Sequence, residues 1–337
     1  MQVNWGILGA GNIAHDFSVA LRTLPVTEHQ IQAIGSRSLE RAAAFAKTHK
    51  IKQFYGSYDE VFNDAEVDVV YVATVNNTHN SLILQALENG KHVLCEKPIG
   101  VNAEEISAIF QLAQEKRLFV MEGLWSMFVP SWLETLLQIK NGAIGRPRFM
   151  NFMHARKMYQ KREKFYSKEL AGGMLSSLGE YPLAFAYWVF NKEEPVNIVA
   201  SGYNFGTGVD KTHSVTMSYR NGETLTSFIS CDFDGLENAE IIGDKGKIKL
   251  NYPFWCPTTV TTSNSVLSFE MPHGDMQTNF TNSAALSYEA RHVRHCLMSG
   301  WLESNVVTHK ASITIARWTD EIKHQLNVMN ELDDVNR

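Results

Sequence analysis

The chain has 337 residues, of which 44% are hydrophobic and 20% are charged, and its formal net charge at pH 7 is -5. This length exceeds that of one ordinary domain core, so two domains are expected. The acidic balance and the lack of a basic run argue against nucleic acid or an anionic membrane as a partner.

The four cysteines lie far apart and form no C-x-x-C pair, which predicts buried, reduced thiols rather than a disulfide framework or a thiolate metal site. No grouping of the 12 histidines has metal-ligand spacing, so no metal is expected. The N-terminal segment MQVNWGILGAG lacks the features of a signal peptide, and the longest apolar run (residues 183–190) is too short to span a bilayer. A cytoplasmic protein is therefore expected.

Strand-like and helical segments alternate through the first third of the chain. This alternation predicts a parallel sheet with helices on both faces, an α/β domain over residues 1–123. The predicted strands are Val3–Leu8, Gln30–Ile34, Val67–Ala73, His92–Cys95 and Leu118–Met121, and the predicted helices are Ile13–Leu24, Leu39–Thr48, Thr78–Asn89 and Ala103–Lys116.

The first predicted strand leads directly into GAGNIA (residues 9–14), a G-x-G-x-x-A motif. Gly9 permits a tight turn, and Gly11 lets the backbone approach a pyrophosphate at the N-terminus of the next helix, which Asn12 and Ile13 open. A plain turn is the alternative. The strand–turn–helix context favours dinucleotide binding.

The end of the second predicted strand indicates which dinucleotide binds. An NAD site usually has an acidic residue there to bind the ribose 2′-hydroxyl, but this strand leads into Ser36-Arg37-Ser38. Arg37 can pair with a 2′-phosphate, and Ser36 can donate a hydrogen bond to it. NADP is therefore favoured, NAD stays open, and a solvated loop cation is the alternative role for Arg37.

Two later strand ends supply further candidates, because ligands of open parallel sheets bind outside the carboxyl ends of the strands. Thr74, Asn76 and His79 follow one strand, and Glu96 and Lys97 follow the next. We expect all five to contact the cofactor. The alternatives are a helix cap for residues 77–78 and a surface position for the histidine.

Lys97 is the more informative of these residues, because an interior strand seldom ends in an unpaired cation. An ammonium in the ligand crevice can stabilise an alkoxide or phenolate, or lower the pKa of a neighbouring acid. A salt bridge, for example to Glu122, is the alternative. The Lys97–Pro98 bond is expected to be cis, which X-Pro bonds tolerate.

Several motifs together resemble the glucose–fructose oxidoreductase/inositol dehydrogenase (Gfo/Idh/MocA) family of Rossmann-fold enzymes. Within it, the likeness is closest to members that oxidise trans-dihydrodiols or D-xylose with NADP, and it extends over nearly the whole chain. The matching segments are GAGNIA (9–14), TLPVTEHQ (23–30), YGSYDE (55–60), the T-x-N-x-x-H segment (74–79), VLCEKPIGVNA (93–103), TGVDKT (207–212), FWCPT (254–258) and SYEARHV (287–293).

The resemblance implies that residues 124–337 form an α+β domain with a large, open, mostly antiparallel sheet that binds substrate and supports a homodimer. The residues agree independently, and Asp244-Lys245-Gly246 fits a hairpin turn. The predicted strands are Arg148–Ala155, Asn197–Asn204, Ser214–Tyr219, Glu223–Ser230 and Lys247–Asn251.

Residues 171–181, AGGMLSSLGEY, resemble the catalytic helix of the family. Most members carry Asp and then His four residues later, on one helical face; dihydrodiol-type members carry Asp and Tyr. Tyr181 matches the second position, but Ser177 stands where the acid is expected. The resemblance implies that Tyr181 takes the hydroxyl proton with help from Lys97, whereas a packed aromatic is the alternative. Pro182 is expected to kink the helix just after Tyr181.

The resemblance also places four aromatic residues along the substrate cleft, and core packing is the alternative for each: Trp125, Phe128, Trp255 and Phe280. His154 stands where close relatives have Phe, so it is included with Ser177 among the substrate residues. The expected function is NADP-dependent oxidation of a secondary alcohol of a sugar, polyol or cyclic trans-diol. The alternatives are another sugar or inositol dehydrogenase, a keto-sugar reductase and a non-catalytic NADP sensor.

Overall fold

A computed structural model describes residues 2–157, 163–235 and 237–328. The chain packs into two compact units. Unit 1 contains the residues through Val129 together with Met271–Ser312, and unit 2 contains Pro130–Glu270 and the chain from Ile313 onward. This division differs from the single boundary predicted after residue 123, because residues 271–312 return to the first unit. Residues 329–337 of the predicted second domain lie outside the described part.

Unit 1 is built on a six-stranded sheet in the order β3-β2-β1-β4-β5-β6, and every neighbouring pair is parallel. The predicted α/β fold with a parallel sheet is therefore confirmed. Its strands are β1 (Val3–Leu8), β2 (His29–Gly35), β3 (Gln53–Tyr55), β4 (Val69–Val72), β5 (His92–Glu96) and β6 (Val120–Gly123), and the helices of this stretch are α1 (Asn12–Leu21), α2 (Leu39–His49), α3 (Asp59–Asn63), α4 (His79–Glu88) and α5 (Ala103–Lys116).

Strand β4 (VVYV) is a continuous, fully buried apolar run because both faces of a parallel sheet are covered. Trp5 of β1 and Tyr71 of β4 are fully buried, and the Tyr71 ring stacks on Phe17 of α1 with centroids 3.7 Å apart. The sequence analysis missed β3 and α3. Strand β3 has three residues at the sheet edge, of which Gln53 and Phe54 are exposed, so it shows no apolar run.

Unit 2 contains an eight-stranded sheet in the order β14-β13-β12-β11-β7-β10-β9-β8. Only β7 and β10 pair in parallel, so the prediction of a mostly antiparallel sheet is confirmed. The strands are β7 (Pro147–Ala155), β8 (Asn197–Asn204), β9 (Asp210–Ser218), β10 (Thr224–Ser230), β11 (Asn238–Gly243), β12 (Lys247–Leu250), β13 (Thr259–Thr262) and β14 (Val266–Ser268), with helices α6 (Pro130–Lys140) and α7 (Glu180–Val189).

The hairpin predicted at residues 244–246 joins β11 to β12. The sequence analysis missed β11, β13 and β14. A kink after Tyr181 stays a prediction. Pro182 lies inside a helical stretch that continues to Val189. The irregular part precedes it, as a π-helical turn over Leu175–Gly179.

Two helices follow the second sheet: α8 (Leu286–Met298) and α9 (His309–Gln325). All four cysteines are buried and none forms a disulfide, as predicted. Within the part of the chain that the structure describes, no helix combines the length and apolar character that crossing a bilayer requires. The same residues contain no cluster of three or more His, Cys, Asp or Glu side chains suited to a metal ion.

Candidate functional site

The glycine turn after β1 forms an open cradle at the start of α1. Gly9 has φ 99°, and a Cβ atom there would lie 2.9 Å from the carbonyl oxygen of Ala73, so only glycine fits. Gly11 is the N-cap of α1, and this fully described helix has neither a side-chain cap nor an acidic residue in its first turn. Helix α5, in contrast, is capped by the Asn102 side chain at 2.9 Å. The uncapped N–H groups of α1 are suited to a phosphate.

A cavity of about 790 Å³ lies beside this turn. Gly11 and Asn12 line it from the turn, Arg41 lines it from α2, and Gln277 and Asn279 line it from a distant segment of unit 1. Its donors are backbone N–H groups, a guanidinium and side-chain amides. This donor set fits an anionic dinucleotide.

Two arginines converge near the end of β2. Ser36 is buried, and Arg37 is exposed just after it. Burial raises the pKa of the nearby Tyr58 phenol, and the positive charges of Arg37 and Arg41 oppose this rise, so both guanidinium groups lie near one phenol. The sequence analysis missed Arg41, although its spacing of four residues from Arg37 across the capped start of α2 was a usable signal.

The segment after β4 is tied to the turn that follows Lys97. Thr74 and Thr78 share a hydrogen bond of 2.7 Å between their hydroxyls. His79 is 1% exposed, and its Nδ1 lies 2.8 Å from the carbonyl oxygen of Pro98. A carbonyl only accepts, so Nδ1 of His79 carries the proton. Asn76 begins the 3-10 turn that connects Thr74 to α4.

The Glu96-Lys97-Pro98 turn is fixed on both sides. The Lys97–Pro98 bond is cis, as predicted. The Glu122 carboxylate, the salt-bridge alternative for Lys97, accepts a 3.0 Å hydrogen bond from the backbone N–H of Ile99. Lys97 itself is half-buried directly after β5.

Glu96 lies in a buried group of acids behind this turn. The hydroxyl of Tyr71 donates a hydrogen bond to its carboxylate. Burial, together with the negative charge of Glu96, raises the pKa of the fully buried Glu289 carboxyl on α8 well above its usual range. Burial and the neighbouring carboxylate thus both disfavour the charged form of Glu289.

Tyr181 lies in an aromatic cluster of unit 2. Its side chain is 5% exposed, and its ring stacks on Trp255 with a centroid distance of 5.9 Å and an interplanar angle of 15°. Trp255 also packs edge-on against His154, at 5.7 Å. Burial, assisted by the charge of Arg156, lowers the pKa of His154 to about 4, so its imidazole is neutral at pH 7. The structure thus brings together three of the predicted catalytic and substrate residues.

Ser177 lies in the π-helical turn before Tyr181. Its hydroxyl donates to the carbonyl oxygen of Gly173 at 2.7 Å. A buried acid is present at the start of this turn, because Asp210 of β9 accepts hydrogen bonds of 2.8 Å from the N–H of Leu175 and from the ring of His213. Asp210 acts as a helix cap. The motif TGVDKT does not reveal the role of its acid, because Asp210 and the turn that it caps meet only in the folded protein.

The remaining aromatic candidates lie in unit 1. Trp125 and Phe128 belong to a buried 3-10 helix and are 4% and 7% exposed, and the Phe128 ring lies 4.7 Å from that of His292. The backbone N–H of Phe280 donates to Asp16 of α1 at 2.9 Å. Their contact with substrate stays a prediction.

Two family models match the chain. One is described as an oxidoreductase family with an NAD-binding Rossmann fold and matches residues 3–124; the other is the GFO/IDH/MocA C-terminal domain and matches residues 136–249. Similar proteins named trans-1,2-dihydrobenzene-1,2-diol dehydrogenase include one from Xenopus tropicalis, 38% identical over 97% of this chain and 99% of the relative, and one from Homo sapiens, 36% identical over 97% and 98%.

Solved structures share the fold. A levoglucosan dehydrogenase in complex with NADH and levoglucosan matches with a TM-score of 0.84 at 18% identity, covering 97% of both chains. A 3-ketoreductase from Actinomadura kijaniata in complex with NADP and TDP-benzene matches with a TM-score of 0.80 at 22% identity, covering 96% of this chain and 98% of the other. At these identities the likeness concerns the fold alone.

Proposed function

We propose, from the premise that the chain belongs to the Gfo/Idh/MocA oxidoreductase family, that it is an NADP-dependent dehydrogenase for a secondary alcohol of a sugar, polyol or cyclic trans-diol. The observation that carries this proposal is the uncapped start of α1 at the glycine turn, beside a cavity of about 790 Å³. The relatives named as dihydrodiol dehydrogenases support the substrate class, because they match over nearly the full chain.

Different residues around the glycine turn would bind different parts of the dinucleotide. Gly9, Gly11, Asn12 and Ile13 would hold the pyrophosphate through the backbone N–H groups of the turn and of α1. Ser36 and Arg37 would hold the 2′-phosphate, and Arg41 is added to them because it lies near the same phenol as Arg37. Thr74, Asn76, His79 and Glu96, on adjacent strand ends, would line the nicotinamide side. When bound, the nicotinamide accepts hydride from the alcohol carbon.

Tyr181 and Lys97 carry the proton chemistry in this proposal. Tyr181 takes the proton of the substrate hydroxyl, and the Lys97 ammonium favours the phenolate form of that tyrosine. An unperturbed tyrosine has a pKa of about 10, and each unit by which it is lowered needs about 1.4 kcal/mol of differential interaction. One close ammonium in a partly dry site supplies about one to three such units. The His79 and Glu122 bonds to the turn support this role, because they fix the backbone beside Lys97.

Ser177 is a position at which the proposed substrate site differs from that of dihydrodiol-type relatives. A serine hydroxyl cannot hold a negative charge, so the site has one carboxylate fewer than dihydrodiol-type relatives carry at this position. Neutral His154 and the ring of Trp255 give the neighbourhood of Tyr181 an aromatic character. Such a surface suits the C–H face of a sugar ring or a cyclohexadiene diol. The substrate residues of the proposal are therefore Trp125, Phe128, His154, Ser177, Trp255 and Phe280.

Exchange of the 2′-phosphate contacts tests the cofactor assignment. Arg37→Glu places a negative charge where the phosphate is proposed to bind, so the kcat/KM ratio of NADP to NAD should fall by about 10- to 100-fold. Steady-state kinetics with both cofactors measure it. Lys47→Glu makes the same charge change at an exposed position of α2 and should leave the ratio within about twofold. An unchanged ratio in Arg37→Glu would remove the arginine from the 2′-phosphate site.

Removal of one hydroxyl tests the acid/base role. Tyr181→Phe should lower kcat by about 100-fold or more, because proton transfer loses its donor and acceptor, while the Kd for NADP stays within about twofold. Tyr187→Phe removes a hydroxyl from a buried tyrosine of the same helix and should retain activity. Stopped-flow turnover and fluorescence titration separate the two quantities. A Tyr181→Phe enzyme with wild-type turnover would exclude this residue as the acid/base.

Restoring the family acid tests the role of Ser177. Ser177→Asp should raise kcat/KM for a trans-diol or D-xylose by about tenfold if the missing carboxylate limits proton transfer. Asparagine has the size of aspartate but carries no charge, so Ser177→Asn should give no gain. Both are measured by NADP-coupled oxidation of a panel of sugars, polyols and diols. Equal rates for Asp and Asn would show that charge at this position does not limit the reaction.

A homodimer through the sheet of unit 2 completes the proposal. One face of this sheet carries half-buried apolar side chains such as Phe149, Met153 and Phe228, and the edge strand β8 exposes Val199 and Tyr203 by 52% and 49%. Monomeric proteins seldom expose such a surface. Light scattering should give twice the chain mass of 38.0 kDa, and Tyr203→Lys should shift the population toward monomer. A monomeric wild-type chain at micromolar concentration would contradict the dimer.

A further inference from the structure

Residues 274–283 form a strap along helix α1, and one buried carboxylate fixes the far end of this strap. Asp16 of α1 is fully buried and accepts hydrogen bonds from the backbone N–H of Asn279 (2.8 Å), the N–H of Phe280 (2.9 Å), the Asn279 amide (2.8 Å) and the Ser283 hydroxyl (2.6 Å). A buried carboxylate is stable only when its oxygens are hydrogen bonded. Asp16 therefore anchors the second half of the strap.

The first half of the strap is held by different contacts. Arg22, in the turn after α1, forms a bidentate ion pair with Asp275, with Nε–Oδ2 and Nη2–Oδ1 distances of 3.0 and 2.8 Å. Gly274 packs so closely that a Cβ atom there would lie 2.2 Å from Cγ1 of Val19. Any side chain at residue 274 would push the strap away from α1.

A series of hydrogen bonds through the histidines of α1 and α2 links Arg22 to the middle of the strap. Nη1 of Arg22 lies 2.8 Å from Nδ1 of His49, Nε2 of His49 lies 3.0 Å from Nδ1 of His15, and Nε2 of His15 lies 3.0 Å from the carbonyl oxygen of Gln277. Guanidinium groups only donate and carbonyl groups only accept. The direction of the hydrogen bond is therefore fixed at both ends of this series: Arg22 donates and the carbonyl of Gln277 accepts.

This direction determines the proton positions in between. Nδ1 of His49 must accept from Arg22, so the single proton of neutral His49 lies on Nε2 and is donated to His15. Nδ1 of His15 accepts this hydrogen bond. The ring proton of His15 therefore lies on Nε2, which donates to the carbonyl oxygen of Gln277. Burial, and next the charge of Arg22, lowers the pKa of His49 to about 4, which keeps this ring neutral at pH 7. We call this chain of bonds, from Arg22 to Gln277, the histidine relay.

The strap also borders the proposed cofactor pocket. Gln277, Thr278 and Asn279 line the same cavity as Gly11 and Asn12 of the glycine turn, and His15 and His49 lie in its wall. The relay and the Asp16 bonds thus fix the distance between the strap and the turn that would hold the pyrophosphate.

We propose that the strap is the outer wall of the cofactor pocket and that His15 and Asp16 are positioning residues that hold it in place for dinucleotide binding. This inference rests on the proposed NADP function. The determinants of cofactor affinity then include a segment that lies about 260 residues after the glycine motif in the chain.

The relay makes the wall sensitive to acid. A second proton on His49 would sit on Nδ1, where Arg22 already donates, so the relay would break. The groups that face His49 are Arg22 and His15 near α1, Asp275 of the strap, and Lys50 next to it in the chain. The pKa of His49 in the folded protein lies below its ordinary value of 6.5. The relay therefore contributes its full stabilisation above about pH 6.5, and this stabilisation is lost as the pH falls through about 4.

Four variants of the full chain test the proposal. His15→Ala breaks the relay, and Gly274→Ala displaces the strap sterically with the histidines intact. His15→Gln can still accept from His49 and donate to Gln277 through its amide, so it should rescue the relay. His273→Ala changes an exposed histidine just before the strap and is the control. Amide hydrogen exchange of residues 274–283 without cofactor, fluorescence titration with NADP at pH 7.5, and kcat at saturating NADP are the measurements.

In His15→Ala and Gly274→Ala we expect faster exchange in the strap and an NADP Kd raised about fivefold or more, as for the loss of one net hydrogen bond, with kcat within about twofold. His15→Gln and the control should match the wild type. Faster exchange with an unchanged Kd would overturn the role of the strap as a wall, and unchanged exchange in His15→Ala would overturn the relay. A wild-type chain that binds no NADP would instead contradict the proposed function, and the exchange data would still decide the relay.

Discussion

The position of helix α1 depends on a buried negative charge that is satisfied from far along the chain. Asp16 lies one turn after the glycine cradle, and its four donors belong to residues 279–283. Leaving such a carboxylate without donors costs several kcal/mol, so the helix and the strap are stable only together. The same helix starts without a side-chain cap, and its free N–H groups are what a dinucleotide phosphate requires. Structural anchoring and ligand binding thus lie one turn apart on the same helix.

Buried acids organise the other proposed functional segments in the same way. Asp210 holds the π-helical turn before Tyr181, and Glu122 holds the backbone after Lys97. Glu96 accepts a hydrogen bond from the Tyr71 hydroxyl, and burial raises the pKa of the neighbouring Glu289 carboxyl. Asp210, Glu122 and Glu96 each accept a hydrogen bond close to a segment that the proposed reaction uses. Asp210 and Glu122 thereby fix the backbone at two separate places, and such preorganisation suits electrostatic stabilisation of a developing charge.

The family assignment and the local chemistry answer different questions. Membership of the Gfo/Idh/MocA family explains the two sheets and the NAD-binding fold. In the proposed function, cofactor preference depends on Arg37 and Arg41, and substrate preference depends on Ser177, which replaces the acid of dihydrodiol-type relatives, and on neutral His154. Such local side chains, rather than the shared fold, would distinguish one member from another.

The sequence by itself determined the features whose physics is local. The run of β1, the glycine turn and the alternating helices predicted the parallel sheet, because burial on both faces demands continuous apolar strands and a pyrophosphate demands glycine. Family motifs added the antiparallel sheet, which is confirmed, and the roles of Lys97 and Tyr181, which stay a prediction. Short edge strands such as β3 were missed, since three residues, two of them exposed, carry no pattern.

Only the tertiary structure decided how distant segments meet. It placed Asp210 at the start of the π-helical turn, returned residues 271–312 to unit 1, and aligned Arg22, His49 and His15 with the carbonyl of Gln277. Each of these depends on hydrogen bonds between groups far apart in the chain. The partners and directions of these hydrogen bonds are set only once the backbone has folded, so no periodicity or spacing in the sequence predicts them.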